Sequence, residues 1–550
     1  MFSLEVKKGL PNGISDFKVL REANYYYVDK TKWIEELQQE IGKTILFTRP
    51  RRFGKTLNMS MLKYFFDIEN SENNSHLFKG LKIEKSSCML EQGKYPVIFL
   101  SLKEIKGLTW KENFNKIKEL IKDLYGEFLF LRDTLNIIEQ RDFDKIIFME
   151  ENGNFEGSLK YLTKFLKNYY KKEVIVLIDE YDTPLISAYE HGYYDEAINF
   201  FKGLYGSVLK TNTNLKMGIL TGIIKVVRAG IFSDLNNLNE HNIIDEEYDE
   251  YFGFLENEVK DALEYYKINL KIEEIHSWYN GYKFGNVKVY NPWSILKFLY
   301  SKKFESYWIG TSENYLIEDI LKIADEITFN KLNKLLLGKE IEEEITGKST
   351  LKNVLEIHDI WELLLFSGYL TINKKIQRNI YSLKIPNNEV REFFKDSFIE
   401  IAFGNNIIFN KMINNLLNNN LDYFEKNLQD IMLKHMSFND ISNLEKVYHS
   451  FILGLMISLE REYKITSNQE SGLGRYDILI EPLNKNKKGY ILEFKVASQE
   501  NKLEEKAMEA LKQIENKKYY FTLENKGIKE IILIGMAFYK KLVKIKYLKK

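Results

Sequence analysis

Over the first ~250 residues, apolar positions fall into short strand-like runs separated by longer stretches at helical spacing, the alternation that a parallel α/β sheet requires. Runs at 44–48, 95–102, 174–178 and 216–221 read as strands, and 55–66, 111–130 and 159–170 as helices. From 256 to 347 the pattern is mostly helical, interrupted by Trp278-Tyr-Asn-Gly-Tyr-Lys-Phe-Gly285 and Tyr290-Asn-Pro-Trp-Ser294. Residues 358–383 read as a helix, with Trp361, Leu364, Leu365 and Tyr369 close to one face, followed by strands at 369–372 and 380–385. A winged-helix module and an ordinary hairpin on a helical domain would both look this way. The asparagine-rich stretch 387–445 reads as a helical connector. After it come a helix at 447–459, a strand, a partner strand at 490–496, and a helix with Leu503, Ala507, Leu511 and Ile514 on one face.

Length and composition narrow the class. At 550 residues, 44% hydrophobic and 29% charged, with seven prolines, the chain should form three or four globular domains. Cys88 is the only cysteine, which excludes a disulfide framework and a cysteine-rich zinc site. The longest apolar runs, Val174 to Ile178 and Ile531 to Phe538, are far shorter than the ~18 residues of a membrane span. With no signal-peptide pattern, the expectation is a soluble cytoplasmic protein that does not enter membranes. Net charge is zero, yet residues 446–550 hold 21 Lys and Arg against 13 Asp and Glu, a surplus of +8. A basic terminal module suits a phosphate backbone, and a lysine-rich solvated face would give the same count.

Chemistry concentrates at the two ends. Thr44-Ile-Leu-Phe-Thr-Arg-Pro-Arg-Arg-Phe-Gly-Lys-Thr56 is a strand running into a phosphate-binding loop, with Arg49 where such a loop usually has its first glycine. Arg52, Phe53 and Gly54 would bring loop and helix N–H groups to the phosphates. Lys55 would reach the β- and γ-phosphates, and the Thr56 hydroxyl would bind Mg²⁺. Val174-Ile-Val-Leu-Ile-Asp-Glu180 is an apolar strand ending in two acids: Asp179 would hold Mg²⁺ and Glu180 would orient the attacking water. Thr221, at the end of a further strand, could sense the γ-phosphate or simply close that strand. Near the C-terminus, Asp477 starts one strand, and Glu493 and Lys495 lie two apart on the next, sharing a face. Two carboxylates for one or two Mg²⁺ ions and a lysine beside the water or phosphate are what metal-assisted phosphodiester hydrolysis needs.

These runs, together with Gly9-Leu-Pro-Asn-Gly-Ile-Ser-Asp-Phe17, Tyr27-Val-Asp-Lys-Thr31, Ile178-Asp-Glu-Tyr-Asp182, Leu220-Thr-Gly-Ile223, Phe232-Ser-Asp-Leu-Asn-Asn237 and the two aromatic interruptions, resemble the AAA-ATPase-like family over most of the chain. Members of that family commonly carry a C-terminal PD-(D/E)XK nuclease domain, whose core is similar to the segment from Ser467 through Asp477 and 490–519 here. The resemblance implies that the arginine-rich loop is the family's own variant and that Asp29-Lys30-Thr31 lies near the nucleotide. It also makes Arg228 a candidate second sensor, Glu470 an auxiliary metal ligand and Gln513 a contact to the cleaved strand. The aromatic clusters at 278–282 and Trp293 fit core packing better than base stacking.

The expected fold is multidomain α/β. An additional-strand P-loop ATPase (1–250) leads to a helical lid-like region (251–347), a winged-helix-like module (348–400), a helical connector (401–445) and a restriction-endonuclease-like α-β-β-α domain (446–550). The expected function is ATP binding and hydrolysis coupled to a nuclease using Mg²⁺, with Mn²⁺ as an alternative ion. The partner is nucleic acid, with DNA implied by the resemblance; a homo-oligomer is left open. The rival reading is a nucleotide-switched, STAND-like sensor or scaffold whose C-terminal domain binds nucleic acid or a partner without cutting it.

Overall fold

In the computed structural model, which describes residues 7–224, 238–308, 326–347, 360–403, 406–435 and 444–550, the chain divides into two units. The first comprises Met1–Ser312 with Glu342–Glu389, the second Glu313–Ile341 with Val390–Lys550.

The first unit is built on five parallel strands, β1 (Thr44–Thr48), β2 (Val97–Ser101), β3 (Val174–Asp179), β4 (Leu215–Gly222) and β5 (Leu238–His241), in the order β2-β3-β4-β1-β5. Every residue of β1 and β3 is buried, which is why both read as unbroken apolar runs rather than alternating ones. β4 separates β1 from β3, the additional strand expected from the sequence. Their carboxyl ends meet at one edge, where open α/β sheets bind ligands. β1 and the helix after it, α1 (Lys55–Phe66), have the limits read from the sequence. β5 escaped that reading because Leu-Asn-Glu-His is short and polar, as an edge strand can be.

The aromatic interruption at 278–285 is a helix end followed by the hairpin β6 (Tyr282–Phe284) and β7 (Val287–Val289). Tyr279 and Tyr282 are buried, in line with core packing. A second sheet contains β8 (Ile341–Glu344), β9 (Thr371–Gln377) and β10 (Ile380–Lys384) in the order β8-β10-β9, with the helix Ile360–Phe366 between β8 and β9 in the chain. The hairpin read at 369–385 is present, with β8 as an extra strand; His358 lies outside the described residues.

Glu389 shows how the first unit handles a buried charge. Fully buried, it accepts hydrogen bonds from the Ser294 hydroxyl (2.8 Å) and the Tyr307 and Trp308 N–H groups (2.6 and 2.7 Å). Burial outweighs these donors and pushes its carboxyl up to about 7 from an ordinary 4.5. Its stabilisation is therefore fully present below the unfolded value and is lost as the pH rises through about 7. Denaturation followed by pH should show wild-type stability falling across that window, with a slope of at most about 1.4 kcal/mol per pH unit. Glu389→Gln, a neutral acceptor, should remove this component; an unchanged slope would contradict the assignment.

The second unit carries a sheet of β11 (Tyr463–Ser467), β14 (Ile478–Pro482), β15 (Gly489–Val496), β16 (Ile531–Tyr539) and β17 (Leu542–Lys549), in that spatial order, with β12 (Glu470–Ser471) and β13 (Gly474–Arg475) forming a small separate hairpin. All its pairings are antiparallel except β15 with β16, which are joined through α3 (Leu503–Asn516). Alternation along β15 sorts the two faces. Tyr490, Leu492 and Phe494 enter one core with residues of α2 (Leu444–Ile457), while Ile491 enters another under Leu511 and Ile514 of α3. The stretch read as a connector does more than connect: Phe409, Met412, Leu416, Leu421, Phe424 and Leu428 join the first of these cores.

α3 lies directly on β16 at Gly535, which pairs with Glu493. A Cβ there would come within 2.4 Å of the Ala507 carbonyl oxygen and the Leu511 nitrogen. Gly535→Val should lift the helix and cost about 1–3 kcal/mol. A melting temperature equal to wild type would refute this.

Candidate functional sites

At the end of β1 the chain turns through Arg49-Pro50-Arg51-Arg52-Phe53-Gly54 into α1. Arg52 and Gly54 both have positive φ (68° and 86°), the left-handed geometry that curls a loop under a helix N-terminus. Arg49, in the place of the usual glycine, is wholly buried. Its guanidinium donates to the carbonyls of Thr48 (3.0 Å), His241 (2.8 Å) and Tyr248 (3.3 Å) and lies over the Phe252 and Phe284 rings. Burial lowers its pKa to about 10, so it remains a cation that fastens the loop to β5 and the segment beyond.

Lys55 is buried and donates to the carbonyls of Arg49 and Pro50, both at 2.9 Å. Desolvation lowers its pKa, opposed by the fields of Glu180, Asp182 and Asp179. Thr56 Oγ1 donates to Asp179 Oδ2 at 2.7 Å, and Thr221 Oγ1 donates to Asp179 Oδ1. The register of β3 against β4 produces the second contact, since Ile178 pairs with Leu220. Burial raises the Asp179 carboxyl, and these two hydroxyls partly offset the shift. Glu180 follows with φ 54°, unusual for a residue with a Cβ, and accepts from the Thr183 hydroxyl at 3.2 Å.

Other sequence candidates have different surroundings. The Phe53 ring is buried against Tyr282 and Phe284, so only its backbone can face a phosphate. The Arg52 guanidinium lies 4.5 Å over the Trp293 ring. Asp29 accepts from Thr31 and from the Lys82 N–H, and Lys30 is paired with Glu258 at 2.7 Å, so this triplet holds local structure. Arg228 lies outside the described residues. Asp182, part of a motif quoted above but given no role there, is buried beside these groups.

In the second unit Asp477 immediately precedes β14, and its Oδ2 accepts the Phe494 N–H of β15 at 2.7 Å. That bond sets it beside Glu493, which is only 3% exposed. Lys495 Nζ is 3.9 Å from Glu493 Oε1, as their shared face predicts. Gln513 of α3 donates from Nε2 to Glu493 Oε1 and to the Tyr519 hydroxyl at 3.2 Å, so the side chain expected to meet the cleaved strand is turned toward the carboxylate. Glu470 is exposed in the β12–β13 hairpin, opposite Arg475. Among the described residues no group of three or more His, Cys, Asp or Glu side chains could hold a metal ion, so Glu470 does not stand with Asp477 and Glu493 as a third ligand. Sequence reasoning missed His449, whose Nε2 lies 3.1 Å from the Asp477 carbonyl and 3.1 Å from Ser467 Oγ. A histidine in an apolar helix, in a chain with seven, was the available signal.

Both oxygen-donor sets fit a hard cation. Thr56 and Asp179 offer a hydroxyl and a carboxylate at one point, and Asp477 and Glu493 offer carboxylates from neighbouring strands.

A family model described as "Predicted AAA-ATPase" matches residues 11–232, and one described as "PD-(D/E)XK nuclease superfamily" matches 443–547. A curated relative, "Uncharacterized protein in vnfD 5'region" of Azotobacter chroococcum mcd 1, is 28% identical over 401 residues, which are 72% of this chain and 70% of the relative. A structure of the Aeropyrum pernix ORC2 protein in ADPNP–ADP complexes aligns at 11% identity with a TM-score of 0.24, covering 67% of this chain and 92% of that one. Among the described residues no helix is long and apolar enough to cross a membrane.

Proposed function

Since the chain joins an N-terminal AAA-ATPase-like domain to a C-terminal PD-(D/E)XK nuclease-superfamily domain, we propose that it is an ATP-gated, Mg²⁺-dependent nuclease acting on DNA. The observation that carries this reading is the gathering of Asp477, Glu493 and Lys495, with Gln513, on one face of β14–β15 in a chain that also brings Thr56, Asp179 and Thr221 together. We keep the domain limits of the sequence reading as part of this proposal, with the helices from Asn406 assigned to the nuclease domain because they share its core.

In the ATPase domain Lys55 would exchange the Arg49 and Pro50 carbonyls for phosphate oxygens, carrying its charge to where negative charge develops. Thr56 and Asp179 would hold Mg²⁺, and Glu180 would orient the attacking water. Thr221, which donates to Asp179, would register the γ-phosphate. In the nuclease domain Asp477 and Glu493 would hold Mg²⁺, which when bound supplies charge neutralisation and acidifies water. Gln513 fixes the orientation of the Glu493 carboxylate. Lys495, 3.9 Å from Glu493, would orient the nucleophile or steady the phosphate. The basic surplus of residues 446–550 supports a polyanionic partner.

The test is incubation of the full chain with linear, circular and single-stranded DNA and with RNA, in Mg²⁺ or Mn²⁺, with and without ATP. DNA cleavage altered by ATP is the expected result. ATP turnover with nucleic-acid binding but no cleavage would replace this reading with the nucleotide-switched scaffold.

A further inference from the structure

We propose that Asp182 is a positioning residue for ATP hydrolysis, holding the end of β4 so that Thr221 stays on Asp179; this rests on the ATPase reading above. Asp182 is 1% exposed and occupies the N-cap of the helix Thr183–Glu190, yet its carboxylate does not cap that helix. An aspartate at this position ordinarily accepts from the first turn. Here Oδ2 reaches across to the segment leaving β4 and accepts two consecutive backbone N–H groups, Ile223 at 2.7 Å and Ile224 at 3.0 Å.

Its neighbour completes the grip. The Tyr181 N–H donates to the Thr221 carbonyl at 3.0 Å, and the Tyr181 hydroxyl donates to the Ile224 carbonyl at 2.7 Å. Tyr181 is itself held by the Tyr205 hydroxyl, which donates to its carbonyl at 3.0 Å. Residues 221–224 are thus fastened at four backbone points by the two residues that follow Glu180. Gly222 makes the approach feasible, because a Cβ there would lie 2.6 Å from the Tyr181 ring and 2.8 Å from Asp182 Oδ1. The clamp includes Thr221 itself, whose hydroxyl donates to Asp179. On this assignment Asp182 acts through Thr221 and Asp179, by holding backbone rather than by contact with the nucleotide. A loop staple with no part in the reaction would show the same bonds, so the test must separate rate from affinity.

The full chain is compared with Asp182→Asn, Thr221→Ala and the double variant, measuring ATP turnover, binding of a non-hydrolysable fluorescent ATP analogue and melting temperature. Asp182→Asn should lower turnover at least about tenfold while affinity stays within about threefold, the signature of an interaction needed after binding. The double variant should be no more than about twofold slower than Thr221→Ala alone, because both changes break one linkage. Should Asp182→Asn fail to fold, Gly222→Ala, whose methyl presses on Asp182, is held to the same turnover and affinity criteria. Wild-type turnover in the variant, equal loss of affinity and turnover, or additive losses in the double variant would overturn the proposal. Lack of ATP binding by the unaltered protein would overturn both it and the reading on which it rests.

Discussion

Glu493→Ala is expected to reduce phosphodiester cleavage by on the order of 10²–10³-fold while leaving ATP turnover and DNA binding in place. The magnitude follows from what is removed: one of two carboxylates in a site where charge stabilisation is worth several kcal/mol, at a tenfold rate change per ~1.4 kcal/mol. Selectivity follows from the geometry. Glu493 is buried on β15 and its oxygen takes the Gln513 amide, so its removal leaves the exposed basic side chains of the domain unaltered. The truncation also removes one of the two acceptors of the Gln513 amide, so Glu493→Gln should accompany it, with melting curves for both. Cleavage within twofold of wild type in a folded Glu493→Ala protein would remove Glu493 from the site. Loss of DNA binding together with cleavage would mean that the substitution damaged the face rather than the chemistry.

Lys55→Ala should lower ATP turnover by on the order of 10²–10³-fold and weaken ATP binding. Lys55 brings a buried ammonium against the loop, and Glu180, Asp182 and Asp179 all act on its charge. A neutral, shorter side chain leaves the phosphates without that cation. In the nucleotide-free protein the same change deprives two carbonyls of a donor, a loss of about 1–3 kcal/mol that relief of the buried charge partly offsets. Steady-state turnover and calorimetric ATP titration would check both halves. If ATP gates the nuclease, cleavage by Lys55→Ala should no longer respond to ATP. A response identical to wild type would separate the two activities.

Legibility of the fold varied with how far apart its determinants lie in the chain. β1 and α1 were readable to the residue, because an apolar run passing through Gly54 into a helical pattern is a local signal. Glu493 and Lys495 were readable as a pair for the same reason: a strand's period of two places them together. The short polar strand β5 carries no such signal, and neither does β8, whose partner is almost forty residues away in sequence. Arg49 is the instructive case. By motif it stands where a glycine is missing; in the structure it is a buried cation held by three carbonyls and two rings, all but the Thr48 carbonyl from segments about two hundred residues or more away. The helices at 406–435 read as polar and connecting, since their apolar residues gain meaning only from the sheet they cover.

The sequence by itself determined that a parallel sheet would carry the Lys55 loop, and it named the candidate groups for a phosphate and for a cation at the two ends. Periodicity and local turn geometry depend on neighbours along the chain, so they survive without tertiary information. The tertiary structure alone decided which of those groups meet. Strand order places Thr221 on Asp179, α3 lying close on Gly535 brings Gln513 to Glu493, and Asp182 turns away from its own helix to hold the exit of β4. Each depends on backbone from distant segments arriving within hydrogen-bond distance, and no local pattern encodes that arrival.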